Sequence, residues 1–461
     1  MSALLRITLV GIHLAMACGF QVDSLFPAQT SDASDAGGGT TASSDGNDDT
    51  SDGSGDSEER CDVVTDDDER IIPSVPRPSY LGSYIDPVFG TTVIRITGDV
   101  GSAIPNIGGQ WGSVARHYFS KDPAWNSSQS LLVIKKNLDD GGTPSWPVWL
   151  FLDGETYEPL FAKSNPAGAT EALWHPTSPD LMVFQGDHDV GTWNVQTDAL
   201  DVRGTFAEYT ISHRDEWNPS NDGRWIAVSA TKDGNDVTFA YDLQQQVKYP
   251  DIDLSWTSID NVSISPTGTY IVLKTNDDYT QVYDKDGNEI GGLWDTYGDP
   301  SVFDVTIDRN GDEVAVGVSK TLHDGRLIKR RLSDGQITVL VDFGWAVHTS
   351  TRSIQKPGWA YVSYQVRESH RAPLLDELVA VNIDGFNDIQ RLAHMHTQRG
   401  DYDSEAHAVP SPDGLRVLFA SNWEDSTLRP VHTYVVDLRA LCTMHDVISS
   451  STANLRVVDG P

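Results

Sequence analysis

Seven copies of one turn-plus-strand pattern, repeated along a 461-residue chain, predict an all-β fold: a seven-bladed β-propeller closed by an N-terminal strand in its last blade. The pattern is clearest in "SPDGLRVLF" and recurs as "KPGWAYVSY", "DRNGDEVAVGV", "SPTGTYIVL", "SNDGRWIAV", "HPTSPDLMVF" and "WNSSQSLLVI". Taking Asn126, Pro176, Asn221, Pro266, Arg309, Lys356 and Pro412 as equivalent gives spacings of 50, 45, 45, 43, 47 and 56 residues, the length of a four-stranded blade. Each copy is followed by a second strand-like segment such as "WLFLDGETYEPLF", "QVYDKDGNEIGGL" or "TYVVDLRAL", several with an Asp-Gly hairpin turn. No long stretch carries helical periodicity.

The elements follow in chain order. Residues 1–18 read as an export signal: Arg6 precedes the apolar run "ITLVGIHLAMA", which is too short for a permanent membrane span. Its end resembles the lipobox of bacterial lipoproteins, with Ala15 and Met16 in place of the usual leucine and small residue; that resemblance implies cleavage before Cys18 and lipid on its sulfur. Residues 19–70, rich in Ser, Gly and Asp, have too few apolar side chains to offset the entropy of ordering and read as a disordered acidic linker. The propeller is expected over 79–442, followed by a tail at 443–461. The segment "GTTVIRITG", Gly90 to Gly98, precedes the first repeat, and the seventh repeat is short at its end. The early segment is therefore expected to supply the outer strand of blade seven. This closure brings Cys61 towards Cys442, and in an oxidising compartment a disulfide between them would tie the ends together. Two unrelated thiols are the alternative.

The chain holds 33 Lys+Arg against 67 Asp+Glu, a net charge of −34, of which the stretch Ser31 to Arg70 supplies −12. Such a surface argues against nucleic acid or anionic lipid as partner. The remaining membrane contact is a lipid anchor, and the expected partner is a glycan or an envelope protein, met by a monomer. An acidic glycan needs a local gathering of positive charge.

In a propeller the first strand of each blade lines the channel, and the loop leading into it opens on one face. Five positions before each anchor stand Lys121, Glu171, Glu216, Asn261, Asp304, Thr351 and His407, all polar. The loops hold Arg116, His117 and Tyr118; Trp174 and His175; Tyr209, His213 and Arg214; His348 and Arg352; and His394, His396, Glu405 and His407. Seven of the 13 histidines fall in these short stretches, which points to a site where loops from several blades converge. "DKDGNE" from Asp284 lacks the length and the terminal glutamate of a calcium loop and reads as a hairpin turn. The tryptophans read mainly as packing between blades.

The repeats resemble Tol-type periplasmic propellers and propeller polysaccharide lyases, including oligogalacturonate and ulvan lyases. The likeness covers the folded chain. The oligogalacturonate-lyase resemblance implies a metal site with an H-x-H arrangement just before the last SPDG-type turn. Here that stretch is Glu405-Ala406-His407, with Tyr402 where a glutamine ligand is expected. A divalent metal (zinc, manganese or calcium) on His348, Glu405 and His407 is the resulting expectation. The ulvan-lyase resemblance implies histidine, tyrosine and arginine as acid, base and charge stabiliser in β-elimination on a uronate. His117, His175, Tyr209 and Arg214 are the residues that could fill those roles, with Arg116, Tyr118, Trp174 and Arg352 as substrate contacts. The expectation is an exported polysaccharide lyase; the alternative is a non-catalytic propeller that presents a binding surface in the bacterial envelope.

Overall fold

A computed structural model describes residues 62–138, 149–165, 169–211, 216–294, 299–321, 323, 325–364, 373–398, 400 and 402–441. The expected signal segment, Cys18, most of the linker, Cys61, Cys442, the tail, His213 and Arg214 lie outside the described residues.

Among the described residues eight antiparallel sheets, two of them in blade one, form the seven blades of a β-propeller. Blade one uses Val114–Arg116, then a second strand divided at Lys135 into Leu131–Ile134 and Lys136–Leu138, then Trp149–Asp153 and Pro159–Lys163. Blade two runs Ala169–Trp174, Leu181–Gly186, Asp189–Asn194 and Leu200–Thr205. Blade three is less regular, built on the long hairpin Trp225–Lys232 and Asn235–Asp242. Blades four, five and six have inner strands Ile259–Ile264, Phe303–Ile307 and Ala346–Ser350, each with three further strands.

Blade seven joins the two ends of the described chain. Val409–Pro410, Arg416–Ser421 and His432–Asp437 come from late sequence, and Thr92–Arg95 from early sequence pairs with the last of them, Thr92 opposite Asp437 and Arg95 opposite Tyr434. Ser83–Ile85 adds a fifth strand outside it. The expected closure by an N-terminal strand is therefore present. The linker expectation needs one correction: residues 62–70 do not run free. Val64 forms a bridge with Arg391 on the outer strand of blade six. The fully buried Arg391 guanidinium takes Glu377 in a two-pronged pair at 2.6 and 2.7 Å and also holds Asp66 at 3.0 Å and the carbonyl of Asp68 at 2.8 Å. Composition alone misses this because one buried arginine, far away in sequence, supplies the partner.

The recurring turn builds the ring through its own chemistry. In "SPDG" the Ser411 hydroxyl lies 2.5 Å from Asp413 and accepts the Arg416 N–H, while Asp413 accepts the Leu415 N–H. Gly414 has φ +71, and a Cβ there would lie 2.2 Å from the Tyr361 hydroxyl of the preceding blade, which instead donates to the Gly414 carbonyl at 2.9 Å. One motif thus ends a strand, starts the next and fits one blade to its neighbour. Between blades the strands bury apolar faces; Val93, Tyr361, Leu392, Phe419 and Tyr434 form one such layer.

Candidate metal centre

Inner strands of all blades enter the channel from the same mouth, so residues just before or at the start of these strands share that mouth. On blade six, His348 lies in Ala346–Ser350 where the ladder shifts register between Ala346 and His348. On blade seven, a single 3-10 turn at Tyr402–Ser404 leads into Glu405 and His407, ahead of Val409–Pro410. His407 has φ +46, a left-handed backbone that a non-glycine residue adopts only where its surroundings hold it there.

These two segments bring three donors together. His348 Nε2 is 2.6 Å from Glu405 Oε2, the His348 and His407 rings stack with centroids 3.7 Å apart, and one ligand atom from each of the three residues lies within 4.8 Å of the others. His407 is 1% exposed, yet neither of its ring nitrogens has a hydrogen-bond partner among the described residues. Burial, and next the His348 ring, hold its pKa well below the usual histidine value, so the imidazole is neutral with a lone pair available. Two orphaned nitrogens on a buried ring are costly unless something takes them up. A divalent ion would take up the one that carries the lone pair, and two imidazoles with one carboxylate suit zinc or manganese better than calcium, which takes oxygen ligands.

The loop from blade one sets the ligand loop in place. His117 Nε2 donates to the His407 carbonyl at 2.6 Å, and burial, reinforced by Arg116, keeps this imidazole neutral. Arg116 is buried and donates to the carbonyls of Asp403 at 2.7 Å, Glu405 at 3.0 Å and Tyr118 at 3.0 Å. It braces the backbone that carries Glu405, rather than meeting substrate as expected. Tyr118 and Phe119 lie under the Lys136 ammonium, which pairs with Asp403 at 3.2 Å. Tyr402, 47% exposed, stands over the site with its ring 4.7 Å from His407. Burial of its hydroxyl, then Glu216, pushes the phenol up, so it stays protonated.

Around and below this group the channel is polar. Lys121 of blade one pairs with Glu216 of blade three at 2.9 Å and lies over Phe303 of blade five, so a single side chain crosses the channel. Lys135 is buried between Asp122 and Glu171 at 2.7 and 2.5 Å. Of the seven polar positions read from the repeat, all but Glu216 are buried.

Other expected site residues lie elsewhere. His175 and Trp174 close the inner strand of blade two at its far end, where they line a small cavity with Pro123, Pro219, Arg352 and Pro412. The Trp174 indole donates to the Ala124 carbonyl at 3.0 Å, and Arg352 grips Asp304 with two bonds of 2.8 Å; both join neighbouring blades. Tyr209 donates to Asp251 at 2.9 Å and accepts from Lys232 at 3.0 Å, with its ring in the core between blades two and three. His394 contacts Asp86, and His396 pairs with Glu424 at 3.1 Å beside Trp423. His175, Trp174 and Arg352 stand at or after the end of an inner strand, which crosses the channel, so they open on the opposite mouth; Tyr209, His394 and His396 precede an inner strand but are taken up by core packing and by Asp86 and Glu424.

No protein-family model matches the sequence, and no curated protein matches it. Among solved structures, the chain is similar to an oligogalacturonate lyase in complex with manganese, at 14% identity and a TM-score of 0.55 over 80% of this chain and 98% of that one. It is also similar to an oligogalacturonate lyase from Vibrio parahaemolyticus, at 11% identity and a TM-score of 0.54 over 77% and 96% of the two chains. At these identities the likeness is one of fold.

Proposed function

We propose that this chain is an exported, carbohydrate-active propeller: a polysaccharide lyase that cleaves a uronate-containing glycan by β-elimination, with a divalent metal on His348, Glu405 and His407. The observation that carries this reading is the buried His348–Glu405–His407 group with its orphaned His407 nitrogens. Similarity in fold to two oligogalacturonate lyases, one of them in complex with manganese, supports it.

A bound divalent ion supplies positive charge that stabilises the carbanion-like state beside a uronate carboxylate. His348, Glu405 and His407 hold that charge in place. His117 and Arg116 keep the Glu405–His407 backbone in the conformation that aims both ligands inward. Tyr402, protonated and half-exposed, donates a hydrogen bond to the glycan at the mouth. The same reading places the chain as a monomer outside the cytoplasm, tethered by a lipid on Cys18.

The rival reading, a non-catalytic binding surface, draws on the scatter of His175 and Tyr209, which leaves the expected four-residue catalytic set unassembled. The test is to supply oligogalacturonate and other acidic polysaccharides to the manganese- and zinc-loaded protein and follow ultraviolet absorbance of unsaturated chain ends. Product that disappears with a chelator and returns with metal supports the lyase; metal-dependent binding without product supports the rival.

A further inference from the structure

We infer that Lys274, on the second strand of blade four, is the group that takes the proton in the elimination, across the mouth from the metal ligands. This rests on the lyase reading of the same site.

Lys274 lies in Tyr270–Thr275 directly opposite Asn261, the mouth position of blade four that corresponds to His407 in the repeat. Cross-strand partners share a face, and Val272 on that face packs with Phe303 of blade five, the ring that Lys121 reaches across the channel, so Lys274 stands at the mouth end of a seam that borders the channel. It is buried, and its ammonium pairs at 2.9 Å with Asp278 of the adjoining hairpin. Glu216 lies within electrostatic reach of both Lys274 and His348, so the lysine and the metal ligand share the neighbourhood of one carboxylate.

The other titratable groups around this mouth serve less well as acceptor. His348, Glu405 and His407 are the metal donors, and His117 Nε2 is bonded to the His407 carbonyl. Lys121 and Lys136 pair with Glu216 and Asp403, carboxylates 27% and 25% exposed, whereas Asp278, the partner of Lys274, is 40% exposed and holds its ammonium through a more screened pair. Burial works against the charged form of Glu216, but Lys121 outweighs it and keeps that carboxylate ionised and weakly basic. Asp260 is exposed, and a carboxylate is a far weaker base than an amine. At Lys274, burial disfavours the ammonium and wins over the opposing pull of Asp278 and Asp260, with Lys320 adding to the lowering. A buried lysine brought towards neutrality is a competent general base.

The step balances. The neutral Lys274 amine takes the proton from the carbon next to the uronate carboxylate. The electrons of that C–H bond form the ring double bond as the glycosidic C–O bond at the adjacent carbon breaks. The leaving oxygen takes a proton from water, and the resulting hydroxide is neutralised by the proton that Lys274 releases.

The experiment compares wild type with Lys274→Met, Lys274→Arg and Asp278→Asn, all loaded with manganese, reading unsaturated product from an acidic oligouronide, manganese affinity and the pH profile of kcat. Lys274→Met is expected to lower kcat by about 10²–10⁴-fold with manganese affinity unchanged. Lys274→Arg fails to rescue, because a guanidinium does not give up its proton. Asp278→Asn removes a carboxylate that favours the ammonium, so the acid limb of the profile moves to lower pH. Turnover that survives in Lys274→Met, rescue by arginine, or an acid limb unmoved or raised in Asp278→Asn would each overturn the lysine's role alone. Wild type that makes no product from any acidic oligouronide overturns the lyase reading, and this role with it.

Discussion

His407 shows how much a single residue depends on its surroundings. Its ring is buried, neutral and without a hydrogen-bond partner among the described residues, so its removal takes away a candidate metal donor but little internal bonding. His407→Ala is expected to weaken manganese binding by more than about 100-fold, beyond the 10–100-fold typical of partners that only orient a ligand, with metal-dependent turnover lost; isothermal titration checks the first and product absorbance the second. His175→Ala should leave metal affinity and turnover near wild type, since His175 lies at the far end of its strand, and a large fall in kcat there would contradict this placement. Buried imidazoles also tie stability to pH. Burial, and next Arg95, lower His432 to about 2, and burial keeps His117 and His407 well below their unfolded value. The folded state thus binds fewer protons than the unfolded chain. The stability they confer is complete above about pH 6.5 and falls as pH drops below it, by up to roughly 1.4 kcal/mol per pH unit for each group. Asp376, whose carboxyl is pushed up by burial, works in the opposite sense. For the metal-free protein the urea midpoint is expected to fall between pH 7.5 and pH 5; an unchanged or higher midpoint would contradict the neutral assignment.

At the scale of the element, the N-terminal segments make different contributions to one ring. Thr92–Arg95 is an integral strand of blade seven, and Val93 is fully buried against Tyr434 and Val436. Residues 62–70 touch blade six through one bridge and the Arg391 contacts. A chain beginning at residue 71 should therefore still fold, with a lower melting temperature, because Arg391 retains Glu377 but loses Asp66 and Asp68. A chain beginning at residue 99 leaves the edge of His432–Asp437 unpaired and should not fold as a ring. Circular dichroism melts separate these outcomes, and a cooperative melt equal to full length in the shorter chain would refute the closure argument. The repeat spacing revealed this closure because turn chemistry is local. The strap at 62–70 was not legible, because its order comes from a guanidinium over 300 residues away.

At the scale of the whole molecule, charge sets the terms of approach. With a net charge of −34, the protein repels an anionic glycan at long range, while Lys121, Lys136 and Lys274 are confined to the mouth. Screening acts on the distant carboxylates before it acts on contacts inside the site, since the Debye length falls to about 8 Å at 0.15 M salt. On the proposed lyase reading, the KM for a polyuronate is expected to fall several-fold between about 0.01 and 0.15 M salt. A KM that rises steadily with salt would show that local cations, not the acidic body, dominate the encounter.

The sequence by itself determined the number of blades and the N-terminal closing strand, and it named the three residues of the candidate metal centre. Each of these depends on local turn chemistry or on a resemblance carried by the residues before the last turn, with His348 added from the entry loop of the preceding blade. Only the tertiary structure decided which of the remaining polar side chains meet. His117 and Arg116 brace backbone, Trp174 and Arg352 lock blades together, and Lys274 emerges at the mouth from a second strand that no motif marked. The physical reason is that an inner strand carries the chain from one mouth of the channel to the other at about 3.3 Å per residue. Two residues a few positions apart can open on different mouths, while donors far apart in the chain share one pocket.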